Sequence, residues 1–400
     1  MKKSVKSQVT MLIIIGLLLF IAVSLVLYLS KYAIKKQSEK AIKSSLSSGS
    51  QSIKEFVNQC VDKLSKDAFV LLGKQAGYIY TSQGGTLIDF NDEYEGSFFA
   101  KYNDGSIEYS VSYSILPPKF DVSGSIYFAN PPDYPWRLFP YLTDTPTIPT
   151  FIGFFGLNGV PPLEKTQGAQ SIQRQVEFYV DSNMPACLDF SSFEAEGFEI
   201  QKEASKTSVV IGSKDVSVNS KIPITIKNPK TEETTELNDF SANIGLRFKD
   251  IYLLARNLVQ NDITNIKFDI KSLNGQNSFD IEVKPSSVEG DDLIIIKDKK
   301  SLIYGNKPFE YVFARINRAP ALHRLNENVA ADSGSVIDES KLLNLLGVGN
   351  FEAEDSDEDK GSLTFTVTPS SYTLTSSTDF TVKVSDGKLE DYQVIEVNII

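Results

Sequence analysis

Between Ser7 and Ser30 the chain runs for 24 residues without a charge, and the core of that run is VTMLIIIGLLLFIAVSLVLYL, Val9 to Leu29. At about 1.5 Å rise per helical residue, some twenty such residues cross a hydrocarbon core of about 30 Å. Lys2, Lys3 and Lys6 precede the run and Lys31, Lys35 and Lys36 follow it. The pattern predicts one transmembrane helix over 9–30 behind a basic cytoplasmic tail, 1–8. A cleaved signal peptide is the competing reading. The run is longer than the roughly 7–15 apolar residues of such a peptide, and no A-x-A-like site follows it.

Beyond the run the periodicity changes. Residues 31–77 read as a helical stalk. Ser52 and Glu55 have capping-box spacing. Ile53, Phe56, Val57, Cys60, Val61, Leu64, Ala68, Leu71 and Leu72 then recur at the three-to-four spacing of one buried face. Ile107, Tyr109, Val111, Tyr113 and Ile115 alternate with polar neighbours after the turn signal Asn103-Asp104-Gly105, which predicts a strand. A helix follows over 164–182, with Ile172, Val176, Tyr179 and Val180 on one face and Pro185 as its stop. Strands then predominate, in TSVVIG, KIPITIK, ELNDFSANIGLRF, NSFDIEV, DLIIIKD and FEYVFARI. One helix intervenes, with Ile251, Tyr252, Ala255, Leu258 and Val259 on a face. Strands with an occasional packed helix predict an α+β domain over 78–318.

Residues 129–162 interrupt this order. They hold eight prolines, Trp136 (the only tryptophan) and the cluster Phe151, Phe154 and Phe155. Proline at that density excludes helix interiors and central strands. A loop of aromatics on stiff backbone can bind a partner, cap a core or lie on lipid.

Charge and composition narrow the possibilities. Residues 1–43 carry eight Lys and one Glu, a net +7; the chain carries −11, which leaves −18 for residues 44–400. The basic part suits anionic headgroups, and the acidic remainder argues against nucleic acid. Flanking lysines alone would put the long segment in the cytoplasm, but large domains translocate largely regardless of such counts. The two cysteines, Cys60 and Cys187, form no C-x-x-C pair, and His323 is the only histidine, which argues against zinc. One disulfide in an oxidising exterior is the sharper reading, and two buried thiols the other. With the C-terminal segment below, the pair favours an N-terminus inside and residues 31–400 outside the cell.

No H-E-x-x-H, G-x-S-x-G, Walker A or G-x-G-x-x-G motif occurs, and the lone histidine limits Ser/His/Asp chemistry. No enzyme and no organic cofactor are expected. Asp355, Asp357 and Asp359 alternate in EAEDSDEDKG and could offer oxygens to Ca²⁺, the one candidate metal; a solvated acidic turn is the other reading. The spacing is not that of an EF-hand.

Three resemblances bear on identity. Lys6-Ser7-Gln8-Val9-Thr10 partly resembles the K-G-Q start of archaeal class III signal peptides, with Ser7 in place of Gly and Leu12 where pilins carry Glu. The run Leu71-Leu72-Gly73-Lys74-Gln75-Ala76-Gly77-Tyr78-Ile79 and the run Cys187-Leu188-Asp189-Phe190-Ser191-Ser192-Phe193 are similar to those of uncharacterised single-pass archaeal surface proteins. That resemblance implies an exterior disulfide and no particular activity. After the junction Asn317-Arg318-Ala319-Pro320, the segments Ala353-Glu354-Asp355-Ser356-Asp357, Leu363-Thr364-Phe365 and Val384-Ser385-Asp386-Gly387 resemble cadherin-like and Ig-like modules. They imply an all-β sandwich over 319–400, in line with the alternating runs LTFTV, YTLTS, FTVKVS and YQVIEVNI. The expected protein is a membrane-anchored surface protein that binds a surface protein or glycan. The alternative is a pilin-like or envelope-assembly subunit that packs with copies of itself.

Overall fold

The computed structural model describes residues 50–85, 99–115, 159–168, 170–227, 234–264, 268–275, 278–305, 307–355 and 360–400. The expected span over 9–30 lies outside them, as does the first part of the stalk. Among the described residues no helix is long and apolar enough to cross a membrane.

Helix α1 (Ser50–Lys74) leads to the hairpin β1 (Phe99–Asp104) and β2 (Ile107–Ile115). Then come α2 (Ile172–Cys187), α3 (Ser191–Ala195), β3 (Glu199–Lys202), β4 (Lys206–Ile211), β5 (Val216–Lys227) and β6 (Thr234–Ile244). Helix α4 (Phe248–Thr264) precedes β7 (Phe279–Pro285), β8 (Asp292–Leu302) and β9 (Pro308–Arg315). The C-terminal part holds β10 (Ala321–Leu322), β11 (Asn328–Ala331), β12 (Val336–Asp338), α5 (Glu339–Leu346), β13 (Ala353–Glu354), β14 (Thr364–Thr368), β15 (Ser371–Thr373), β16 (Thr378–Ser385) and β17 (Glu390–Ile399).

The chain divides into two compact units. The smaller gathers residues 50–60 with the described parts of Ala186–Ser205 and Lys221–Phe240. In it Phe56 packs its ring 5.7 Å from Phe190 and 5.7 Å from Phe193, edge-on to the first and tilted to the second. Strand β3 pairs antiparallel with the end of β5, from Glu199 opposite Lys227 to Lys202 opposite Ile224.

The larger unit centres on a five-stranded sheet in the order β1-β2-β9-β8-β7. Its hairpin turn falls at Gly105, whose φ of 68° suits a residue without Cβ. Its middle strands read near-continuously apolar because both faces are covered: Ile294, Ile295 and Ile296 of β8 and Tyr311, Val312 and Phe313 of β9 are all fully buried. Helix α4 contributes Ile251, Ala255 and Leu258, also fully buried. Strand β2 lies parallel to β9, a pairing between segments some two hundred residues apart that local pattern does not announce.

The stripe in residues 50–74 is buried as its spacing predicts, with Ile53, Val57, Val61, Ala68 and Leu72 out of contact with solvent, so this part of the expected stalk is a packed helix. Two expectations are corrected. Pro185 does not stop α2, which runs on to Cys187; a proline in the last turn forfeits one hydrogen bond rather than a helix interior. The C-terminal segment is not an all-β sandwich. It forms one four-stranded sheet, β11-β17-β16-β14, two two-stranded pairs, β10-β13 and β12-β15, and helix α5. Leu342 of α5 is buried in the same core as Phe380, Val382, Val384 and Ile395. Asp338 caps α5 by accepting from Lys341 N, and Gly347 at φ 72° ends it. The described residues together make a mixed α+β fold of several small sheets.

Candidate functional site

Cys60 and Cys187 are joined by a disulfide with a Cα–Cα distance of 5.9 Å. Both cysteines lie in the smaller unit. Beyond the bond, Lys202 donates to the Leu188 carbonyl at 2.6 Å and stands 5.4 Å above the Phe190 ring. The C-L-x-F-S-S-F run is therefore a packing motif: its cysteine closes the loop and its two phenylalanines receive Phe56.

The L-L-G-x-Q-x-G-Y-I run, in the larger unit, docks the end of α1 on β9. A Cβ on Gly73 would meet the Glu310 carbonyl and, at 2.7 Å, the Phe309 ring. Lys74 is buried, paired with Glu310, and lies 3.3 Å from Asp104. Tyr102 donates to the same Glu310 carboxylate at 2.8 Å. Burial, then the hydrogen bond to Glu310, hold the Tyr102 phenol far above its ordinary range, so it stays a donor. Gln75 exchanges two hydrogen bonds with Gln83, while Gln175 donates to the Gly77 carbonyl and accepts from Ile79 N. Every polar group of the run that carries these bonds meets a structural partner, which accounts for the motif without chemistry on a substrate.

At the junction to the C-terminal module, four charged side chains are buried together. Arg315 donates to Asp292 at 2.6 and 3.1 Å and to Asp262 at 2.9 Å. Arg318 pairs with Asp262 at 2.9 Å and also donates to its carbonyl. Two cations and two anions balance there. Beside them Asp291 accepts from Asn317 N at 2.9 Å and from the Tyr113 hydroxyl at 2.5 Å. Asn317 in turn donates to Asp386 at 3.0 Å. Asp386 also accepts from Lys388 N and Leu389 N, so the V-S-D-G turn is fixed from within and tied to the junction. Burial pushes the Asp291 carboxyl up, against the lowering effect of its hydrogen bonds and of Lys388.

A groove of about 520 Å³ runs between α4 and the start of β7, lined by Arg247, Asp250, Leu253, Leu254, Asn257, Ser278 and Phe279. Its size is that of a small-ligand site. Arg247 stacks 4.6 Å above the Phe279 ring and is paired with Asp298. Burial would raise the Asp298 carboxyl, but hydrogen bonds from Arg247, Ser301 and Lys300 N outweigh it and hold the group below the usual carboxylate range. Ser278 takes a positive φ of 68°, uncommon for a residue with a side chain, and receives a hydrogen bond from Lys300 at 3.0 Å. Leu253 is about half exposed.

Of the residues singled out by sequence, the structure joins Cys60 to Cys187. Trp136, Phe151, Phe154 and Phe155 lie outside the described residues, as do Asp357 and Asp359. Asp355 is described and buried. Among the described residues no group of three or more His, Cys, Asp or Glu side chains could hold a metal ion. The groove was not foreseen, because its polar residues carry no motif; the spacing of Asp250, Leu254 and Asn257 along α4 was the signal available.

Comparison with protein-family models, with curated proteins and with solved structures returns no match. The likenesses read from the sequence therefore stand on their motifs alone.

Proposed function

We propose that this chain is a non-catalytic binding or adhesion protein that works outside the reducing cytoplasm, where it engages an envelope component or a partner on the cell surface. The observation that carries the reading is the bond between Cys60 and Cys187. Disulfides form and persist in oxidising compartments and are rare where glutathione keeps thiols reduced.

Two further features support a binding role. The groove along α4 joins apolar Leu253 and Leu254 to the polar groups of Asp250, Asn257 and Ser278, a mixture suited to a glycan or peptide rather than a purely apolar guest. The ion cluster and the Asp291–Asn317–Asp386 chain tie the C-terminal module to the sheet that bears the groove, a rigid frame for presenting a surface. For the absence of catalysis the support is the sequence itself, with one histidine and no catalytic motif.

Co-sedimentation of the purified chain with isolated cell envelopes tests the reading. The wild-type chain is expected to pellet with the envelopes, and Leu253→Asp, a change at an exposed position, is expected to weaken that association. A chain that stays in the supernatant contradicts the proposal.

A further inference from the structure

We propose that the segment ending at Asn274 and Gly275 is a built-in guard on the free edge of β7, which closes the five-stranded sheet to strand addition by a second copy of the chain. Strand β7 is the last in the order β1-β2-β9-β8-β7, so one side of its backbone faces away from β8. An edge of that kind is a template for another chain unless something blocks it.

A short 3₁₀ turn, Ile270–Leu273, sets the guard in place. Ile270 is buried, and Asp269 holds the turn by accepting from Lys271 N at 2.7 Å with its carboxylate and from the Ser272 hydroxyl at 2.5 Å with its carbonyl. Asn274 then lies beside Ile281, where its carboxamide does what the backbone of a sixth strand would do. Its Nδ2 donates to the Ile281 carbonyl at 3.3 Å, and its Oδ1 accepts from Ile281 N at 3.0 Å. Gly275 N donates to the Phe279 carbonyl at 3.0 Å. Only alternate residues of a strand turn their N–H and C=O to one side, here Phe279, Ile281, Val283 and Pro285. Pro285 has no N–H to offer. Among the described residues that leaves Val283 as the one outward position with both backbone groups open, too little for a ladder.

The device recurs at other edges. Strand β4 ends its own sheet, and α2 lays Gln173, Glu177 and Asp181 along it, a spacing that puts all three on one helix face. Gln173 donates to the Val209 carbonyl, Glu177 accepts from Val209 N at 3.1 Å, and Asp181 accepts from Thr207 N at 3.1 Å. At the opposite end of the five-stranded sheet, Lys101 N of β1 donates to the Ser287 hydroxyl at 3.0 Å. At each edge a side chain takes bonds that a neighbouring strand would otherwise take. The arrangement argues against an assembly in which copies are joined through these sheets.

Hydrogen exchange and light scattering of the full chain in detergent, wild type against Asn274→Ala, test the guard over a wide range of protein concentration. In the dilute variant the Ile281 amide is expected to exchange about tenfold faster than in wild type, because it has lost its acceptor, with β16 unchanged. On concentration the variant is expected to form species larger than wild type does under the same conditions, and exchange in β7 slows again as strands pair. Adding Val283→Pro removes the last open N–H and is expected to return the variant to the wild-type size. Asn274→Asp keeps the acceptor for Ile281 N and loses only the donor, so it is expected to show the same effects to a smaller degree. An Asn274→Ala chain that keeps the wild-type size at every concentration, or larger species that persist in full with Val283→Pro, overturns the proposal.

Discussion

Gly73 lies so close to the main chain of Glu310 that no side chain fits between them. The contact lets α1 settle directly on β9, and Lys74, the next residue, then reaches the Glu310 carboxylate. Alanine at position 73 must push the helix off the strand or displace the Phe309 ring. Overpacking of this kind is expected to cost about 1–3 kcal/mol of folding stability, read as a lower denaturant midpoint at unchanged slope.

The disulfide closes a separation of 127 residues. In the chain-entropy account a loop of that length is worth about 4–5 kcal/mol. Cys60→Ser together with Cys187→Ser is expected to lower stability by that order, and the wild-type chain under reductant is expected to match the double variant in chemical denaturation.

Arg315 is the shared partner of two buried carboxylates, Asp262 and Asp292. Arg315→Leu leaves Asp292 without that cation and Asp262 with Arg318 alone. The expected loss is about 3–5 kcal/mol, because the penalty is that of buried charge left uncompensated. Asp262→Asn is the converse test: it takes one carboxylate from Arg318 and from Arg315, of which Arg315 keeps Asp292, and thermal unfolding of both variants reads the effect.

Asp291 gives a pH signature with a definite sign. Its carboxyl is raised in the folded chain, chiefly by burial, so ionisation is easier in the unfolded chain. Its contribution to stability is fully present below the unfolded carboxylate range, near about pH 3.9, and declines as pH climbs through the raised folded value. In Asp291→Asn that component is absent. The stability gap between wild type and variant is therefore expected to narrow as pH rises from about 3.5 towards neutrality. Asp298 has the opposite sign: it is lowered, so its contribution is present above the unfolded range and is lost in acid.

Much of the α+β part was legible from pattern. The stripe Ile251, Tyr252, Ala255, Leu258 and Val259 encodes burial directly, whereas the alternation through Tyr109, Val111 and Tyr113 marks a strand but not its burial, since Ser110, Ser112 and Ser114 between them are buried as well and Ile107 is exposed. The C-terminal module was misjudged at α5. There Asp338, Leu342 and Gly347 spell a capped helix, but only two turns long, and alternation on both sides outweighed it. Parallel pairs such as β2 with β9 and β11 with β17 depend on contacts far apart in sequence, which no local period records. The residues Asn317-Arg318-Ala319-Pro320 suggest a domain junction. The buried partners of Arg315, Arg318 and Asn317 there were not legible, because such pairs are fixed by tertiary geometry rather than spacing.

The proposed role outside the reducing cytoplasm turns on the state of two sulfur atoms in the living cell. Protein isolated from its own cells under rapid alkylation, without reductant, should show no labelled thiol and should yield one linked peptide pair that joins Cys60 to Cys187. Alkylation of both cysteines would place the chain in a reducing compartment and contradict the proposed role.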